Sequence, residues 1–316
     1  MRTQTPACCI AYTTDSTYLF PTFVSAVQAR QFSSPGKADV VIFCFDMTAE
    51  AEAAFAPACD REGVRLIPVS SALLEGESIM LARLFLNDFA PAEYSQYLYI
   101  DGDTQIGGSL DPLIDAEVPA GHFMAANDPM TFLLADNGPM SKDLNAHLAS
   151  IGLTPEQGFS YFNSGVLRIN RDGWESMGAD SWNHFRQHGK PRFPDQDSLN
   201  VVAGSRRLPM SLAWNFPIFM RNSRVEGRIQ PRITHFMSSP KPWHGSFAPW
   251  TSAAVEPYKA ALSRYPELTK FNMTMSLRSR AFYQLQQRRK QVLETLTWGF
   301  SQRRERILSY QSSCAV

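Results

Sequence analysis

Short apolar runs alternate along the first half of the chain with longer segments in which apolar and polar residues are mixed. CCIAYTT at 8–14, DVVIFCF at 39–45, VRLIPV at 64–69 and YLYI at 97–100 are almost free of charge and rich in β-formers. Runs of that length and composition predict strands buried on both faces of a sheet. Between them the pattern predicts helices. One runs from Pro21 to about Arg30, since proline is tolerated in a first turn. An alanine- and glutamate-rich helix spans 48–62, and another spans Glu77 to Phe89. Strand and helix in regular alternation imply a parallel sheet of Rossmann type with right-handed crossovers. Further strands are expected at 122–128 (HFMAAND) and 161–169 (YFNSGVLRI), with a tryptophan-bearing helix over 172–187 and a short helix after Asp197. The polar, turn-rich stretch from Pro129 to Gly158 reads as an inserted loop-and-helix segment, the usual source of lids and acceptor walls.

The fourth strand runs directly into Asp101-Gly102-Asp103. Carboxyl ends of strands in an open α/β sheet open into the ligand crevice, and two carboxylates there can share a hard divalent cation with a phosphate. The expectation is a site for a metal-bound nucleotide. Gly102 leaves no side chain between a ligand and the main chain. The competing reading is a plain strand-end turn, where Asp and Gly are common. No Gly-x-Gly-x-x-Gly follows the first strand and no Gly-Lys-Ser occurs, so phosphate needs another means of support.

The 316 residues, 44% of them hydrophobic, suffice for one large domain with an appendage or for two modest ones. Formal net charge is zero, which argues against a general nucleic-acid binder. Five cysteines without Cys-x-x-Cys spacing suit reduced, buried thiols better than a disulfide framework or a zinc site. The first apolar run is too short for a signal peptide, and no run of about 18 apolar residues occurs, so a cytoplasmic protein is expected.

Several motifs follow one another in a telling order: the strand leading to Asp15 and Tyr18, the Arg83 segment before YLYIDGD, Asp128, FNSG at 162–165, DQD at 195–197, and His235 with Lys241, Pro242 and Trp243. Together, over residues 8 to 245, they resemble glycosyltransferase family 8, the retaining transferases that include bacterial lipopolysaccharide galactosyl- and glucosyltransferases and glycogenin. The resemblance implies an α/β fold with a single GT-A, Rossmann-like nucleotide-sugar-binding domain over 1–265 and a mainly parallel central sheet; past Pro266 the composition turns basic, so a helical tail is expected over 266–316. It further implies transfer of a hexose, galactose or glucose, from a UDP-sugar donor to a glycan or glycolipid acceptor, with Mn²⁺ as the usual metal. Two carboxylates and an imidazole form a mixed oxygen and nitrogen site that suits Mn²⁺ better than Mg²⁺ or Ca²⁺. His235 therefore joins Asp101 and Asp103 as a metal ligand.

By the same resemblance Lys241 meets the diphosphate, and Asp15 and Tyr18 belong to the nucleotide site, Asp15 accepting from the uracil N–H unless it merely caps a helix. Arg83, Asp128, Asn163, Asp195 and Gln196 would surround the donor sugar. Gln196 stands where the family has the group nearest the reacting face. An amide is a poor nucleophile, so a same-face displacement through an oxocarbenium-like state, with Gln196 steadying the charge, is preferred to a covalent glycosyl-enzyme. One departure is Ser238, where the family usually has glycine three residues after the histidine; it bears on main-chain contacts to phosphate. The alternatives are a degenerate member that binds a nucleotide sugar without transfer, and an unrelated phosphatase with Asp-x-Asp after its first strand.

Residues 271–316 carry eight Arg or Lys against two Glu, a net charge of +6. Phe282, Leu285, Val292, Leu296 and Phe300 recur among them at helical spacing. Such a segment suits an anionic membrane surface, which would make the protein peripheral at the inner face. The alternative is a helix packed on the catalytic domain with a solvated basic face.

Overall fold

The computed structural model describes residues 7–189, 192–314 and 316. Its main sheet has seven strands: β1 (Cys8–Asp15), β2 (Ala38–Phe45), β3 (Arg65–Val69), β4 (Gln96–Ile100), β6 (Phe123–Asn127), β7 (Phe162–Asn170) and β8 (Arg207–Pro209), in the order β3-β2-β1-β4-β7-β6-β8. β3, β2, β1 and β4 run parallel, β6 and β8 run the same way, and β7 lies antiparallel between β4 and β6. The sheet is thus mainly parallel, as expected, with one strand reversed.

Alternation along the central strands feeds two cores. Ile10, Tyr12, Val40 and Ile42 pack on one face with Phe23 and Phe55. Phe23 comes from α1 (Leu19–Gln31) and Phe55 from α2 (Ala49–Glu62). Cys9, Ala11, Val41, Phe43 and Tyr99 pack on the other face with Trp174. Coverage on both faces is why these strands read as unbroken apolar runs rather than as alternating ones. Cys8, Cys9, Cys44 and Cys59 are free, buried thiols, and Cys314 is free and part-buried.

The helix expected over 77–89 forms instead as a 3₁₀ segment at Ile79–Phe85 followed by one α turn at Leu86–Phe89. The segment is pressed against the helix over Arg171–His188, where a Cβ on Gly178 would stand 1.9 Å from the Leu84 carbonyl oxygen. The inserted segment contains α3 (Pro139–Ser150). It is followed by α4 (Arg171–His188) and α5 (Pro194–Ala203).

A second sheet positions the site. It consists of β5 (Thr104–Ile106), β10 (Ile233–His235) and β9 (Phe216–Pro217), with β10 in the centre. β10 pairs antiparallel with β5 in the register His235 opposite Thr104. That register sets the last residue of β10 beside the end of β4. The C-terminal region starts with α6 (Glu256–Arg264) and ends with α7 (Leu277–Gly299) and α8 (Gln302–Ser313). Ile307 and Trp298 are buried, and the Val316 carbonyl accepts from the Ser211 N–H at 2.6 Å. Arg303 and Arg306 pair with Asp136 of the insert at 2.7 and 2.8 Å. Residues 298–314 and Val316 are therefore part of the folded body. α7 turns Gln287 and Glu294 inward, the latter accepting from Asn222 Nδ2 at 2.7 Å, and leaves Leu285, Val292, Leu293 and Leu296 exposed. Among the described residues no helix is long and apolar enough to cross a membrane.

Candidate active site

β4 ends at Ile100, and the next residues place two carboxylates at the mouth of the sheet. Asp101, Asp103 and His235 each offer one ligand atom, all within 4.8 Å of one another. His235 Nε2 lies 3.1 Å from Asp103 Oδ1 and 3.9 Å from Asp101 Oδ2. Two carboxylates and one imidazole nitrogen converging from two sheets form a donor set able to hold a divalent cation. Both glycines nearby are required by space. A Cβ on Gly165 would fall 2.3 Å from His235 Cε1 and 2.8 Å from Asp101 Oδ2. One on Gly102 would fall 2.1 Å from Thr22 Oγ1. Gly102 thus permits close packing of α1 on the turn, a different reason from the ligand access expected of it.

Charge is balanced around the cluster. Burial raises the Asp101 carboxyl, and the neighbouring Asp103 adds to the rise, against the opposing pull of Arg83. Burial also works against ionised Asp103, but Lys241 and His235 outweigh it and hold that carboxyl below its usual range. Lys241 Nζ sits 2.6 Å from Asp103 Oδ2 and donates to the Phe236 carbonyl at 2.6 Å. The buried Arg83 opposes its own desolvation with Asp101 and Asp195, which keep its pKa above the ordinary value. Its Nη2 reaches Asp101 Oδ1 at 3.0 Å and its Nε reaches Asp195 Oδ2 at 3.1 Å. Asp101 therefore uses one oxygen on Arg83 and turns the other toward His235.

Beside this cluster lies a buried polar network. Asn163 Nδ2 donates to Asp128 Oδ2 and to Gln196 Oε1, both at 3.0 Å. Gln196 Oε1 also accepts from the Ser164 N–H at 3.1 Å, and its Nε2 donates to Asp128 Oδ2 at 3.1 Å. Asp195 accepts from Ser164 Oγ at 2.8 Å. Burial raises the Asp128 carboxyl against bonds from the Met130 N–H, Asn163 and Gln196. Asp197 sits apart. It accepts from the Tyr161 hydroxyl at 2.5 Å and the Phe193 N–H at 2.9 Å, so it ties α5 to its surroundings.

The structure brings together Arg83, Asp101, Asp103, Asp128, Asn163, Asp195, Gln196, His235 and Lys241. Asp15 and Tyr18 lie slightly away, in a cleft of about 430 Å³ that also reaches Arg83, Asp101, Asp103 and Lys241. Asp15 Oδ1 accepts from the Tyr18 N–H at 2.9 Å, in the turn that leads into α1. Tyr18 stands edge-on to Trp243 with centroids 5.3 Å apart. On the other side of the network a second cleft of about 550 Å³ begins at Asp128, its walls including Met130, Leu133, Met140, Phe219, Met237 and Trp298. Ser238 is exposed and has φ of 66°, the left-handed region that favours glycine. The backbone form expected of a glycine is thus kept by a serine. Sequence reasoning missed Tyr99, Ser164 and Asn215. Tyr99 donates to Asp101 at 2.9 Å, and Asn215 stands 2.9 Å from His235 Nδ1.

A mixed seven-stranded sheet with an Asp-x-Asp turn and a histidine brought alongside by a small second sheet defines an α/β protein with a candidate cation site at its strand ends. The family profile described as "Glycosyl transferase family 8" matches residues 69–246. The chain belongs to that family. It is 24% identical over 220 residues to the lipopolysaccharide glucosyltransferase WaaO of Escherichia coli K12, a match covering 66% of this chain and 62% of that protein. It is 27% identical over 155 residues to a putative glycosyltransferase of Haemophilus influenzae, covering 46% of this chain and 43% of the relative. The chain thus spans from about two fifths to three fifths of these relatives. Among solved structures, the galactosyltransferase LgtC in complex with donor and acceptor sugar analogues superposes with a TM-score of 0.61 at 21% identity, over 86% of this chain and 99% of that one. The apo bifunctional glycosyltransferase WbbM gives 0.66 at 18% identity, over 86% of this chain and 51% of that one. At those identities the likeness concerns the fold.

Proposed function

We propose that this protein is a retaining hexosyltransferase that moves galactose or glucose from a UDP-sugar to a glycan or glycolipid acceptor in a metal-dependent reaction, with Mn²⁺ as the metal. The observation that carries the reading is the meeting of Asp101, Asp103 and His235 with Lys241 on one side and the Asp128–Asn163–Gln196 network on the other. A divalent cation, when bound there, supplies Lewis-acid neutralisation of the charge that builds on a leaving diphosphate. Lys241, now engaged by Asp103, is the cation free to turn toward phosphate once Asp103 is occupied elsewhere. The nucleotide lies in the cleft with Asp15 and Tyr18. Arg83, Asp128, Asn163, Asp195 and Gln196 face the donor sugar.

The Gln196 carbonyl already accepts two hydrogen bonds, from Asn163 and from the Ser164 main chain. An amide oxygen so occupied is a still weaker nucleophile, which supports same-face displacement over a covalent intermediate. The acceptor enters by the cleft beginning at Asp128. α7 rests on an anionic membrane, because its exposed side combines Leu285, Val292 and Leu296 with Arg288, Arg289 and Lys290, all exposed, while Tyr283, Gln287, Glu294 and Trp298 face inward. The test is a panel of nucleotide sugars read by released nucleoside diphosphate with and without Mn²⁺, run on the wild type and Asp103→Ala. Release from UDP-galactose or UDP-glucose that needs Mn²⁺ and is abolished in the variant is expected. Metal-independent release, or equal Mn²⁺-dependent UDP binding by both proteins, sinks the reading.

A further inference from the structure

We infer that Asn215 is a positioning residue that fixes the tautomer of His235 and ties the cation site to the amides facing the sugar. The inference rests on the metal reading above and adds a residue to it. A backbone N–H can only donate. The Gly165 N–H donates to Asn163 Oδ1 at 3.0 Å, so that atom is the amide oxygen and an acceptor. Asn215 approaches the same oxygen at 2.8 Å and must present its Nδ2 to it. Asn215 Oδ1 is then the atom facing His235 Nδ1 at 2.9 Å. A carbonyl oxygen can only accept, so Nδ1 carries the proton. Nε2 is then the ring nitrogen left for a cation, on the side where Asp101 and Asp103 converge, 3.1 Å from Asp103 Oδ1.

A metal-bound imidazole typically gives its other N–H to a carbonyl or carboxylate, which orients the ring and raises its basicity. Asn215 fills that place, and it is 2% exposed, so no water can replace it without reorganisation. The same side chain holds Asn163, whose other end reaches Asp128 and Gln196. The orientation of the imidazole and that of the sugar-facing amides are therefore joined through one residue. Neither end can rotate alone without leaving a buried polar atom unpaired, which is costly.

Two substitutions separate the halves. Asn215→Leu removes both bonds and keeps the branching at Cγ. Asn215→Asp keeps an acceptor for His235 Nδ1–H and loses the donor to Asn163. Mn²⁺ affinity is measured by calorimetry without donor, alongside melting curves and ¹⁵N-histidine NMR. The wild type should show the Nδ1–H tautomer of His235. Asn215→Leu should bind Mn²⁺ about 10–100-fold more weakly, and Asn215→Asp should bind it within about threefold of wild type while losing at least about tenfold in turnover, the scale of an outer-shell substitution. If Asn215→Leu does not fold, Asn215→Asp and the NMR carry the test. Unchanged Mn²⁺ affinity in folded Asn215→Leu, more than tenfold weaker affinity in Asn215→Asp, or an unprotonated His235 Nδ1 in the wild type overturns the inference. A wild type that binds no Mn²⁺ would instead bring down the metal reading and this inference with it.

Discussion

Replacing Gly165 by alanine perturbs the proposed cation site without replacing a ligand. The added methyl would fall 2.3 Å from Cε1 and 2.8 Å from Nδ1 of His235, and 2.8 Å from Asp101 Oδ2. Ordinary carbon contacts begin near 3.5 Å, so the ring or the strand must yield by roughly 1 Å. The strand is poorly able to do so, because the Gly165 carbonyl accepts from the Asp101 N–H at 2.8 Å and would drag that residue along. The ring is confined as well, held by Asn215 at 2.9 Å and facing Asp103 at 3.1 Å. Overpacking of this kind costs about 1–3 kcal/mol of stability. Misplacing a reacting geometry by about 1 Å costs on the order of 100-fold in rate. Gly107→Ala is the control, since the nearest atom to its Cβ would be the Pro231 carbonyl oxygen at 3.9 Å. Calorimetric Mn²⁺ titration, UDP titration with Mn²⁺ present and thermal melting would be run on both. Gly165→Ala is expected to lose at least tenfold in Mn²⁺ affinity and most turnover, with Gly107→Ala unchanged; Mn²⁺ affinity in Gly165→Ala within threefold of wild type would refute the reasoning.

Three further outcomes are expected. Asp136 is held below the usual carboxylate range, burial being outweighed by Arg306 and Arg303, so its stabilisation is present above about pH 4 and lost as pH falls through its depressed pKa. Asp136→Asn should therefore cost about 1–3 kcal/mol near pH 7, with a gap to wild type in chemical denaturation that closes toward strong acid; a constant gap across pH would contradict it. Leu285, Val292 and Leu296 replaced together by serine should leave the melting temperature unchanged, since these side chains are 74, 62 and 61% exposed. Sedimentation with anionic vesicles should fall by more than about tenfold, as each buried aliphatic side chain is worth about 1.5–3 kcal/mol, and equal sedimentation would remove the membrane proposal. Ser238→Gly should gain at most about 1 kcal/mol, relief of the left-handed backbone being partly offset by unfolded-chain entropy. UDP affinity unchanged by that substitution would show that the loop needs the backbone form, whereas a tenfold loss would assign a contact to the hydroxyl.

The sheet was legible because burial on both faces leaves an uninterrupted apolar run, and the site aspartates were legible because they follow such a run directly. Strand direction was not. YFNSGVLRI carries the same apolar signal as YLYI, yet β7 runs against its neighbours, since the pattern of one strand says nothing of its partner's orientation. Asn215 was invisible for a related reason. Its partners lie 20 and 52 residues away, and a lone asparagine between a tryptophan and a phenylalanine has no local signature. The C-terminal helix marks a third limit. Helical spacing of Phe282, Leu285, Val292 and Leu296 reveals an apolar face and leaves open whether it meets a membrane or packs on the body. In the fold, Tyr283, Gln287, Glu294 and Trp298 face the body, so the apolar side is left to the outside. Periodicity identifies faces, and only the surrounding surface decides which one is covered: here Asn222 offers an amide to Glu294 and the clustered Phe219 ring meets Trp298 at 5.8 Å. The body thus meets a mixed face of the helix, polar at Gln287 and Glu294 and aromatic at Tyr283 and Trp298, and leaves Leu285, Val292 and Leu296 outside.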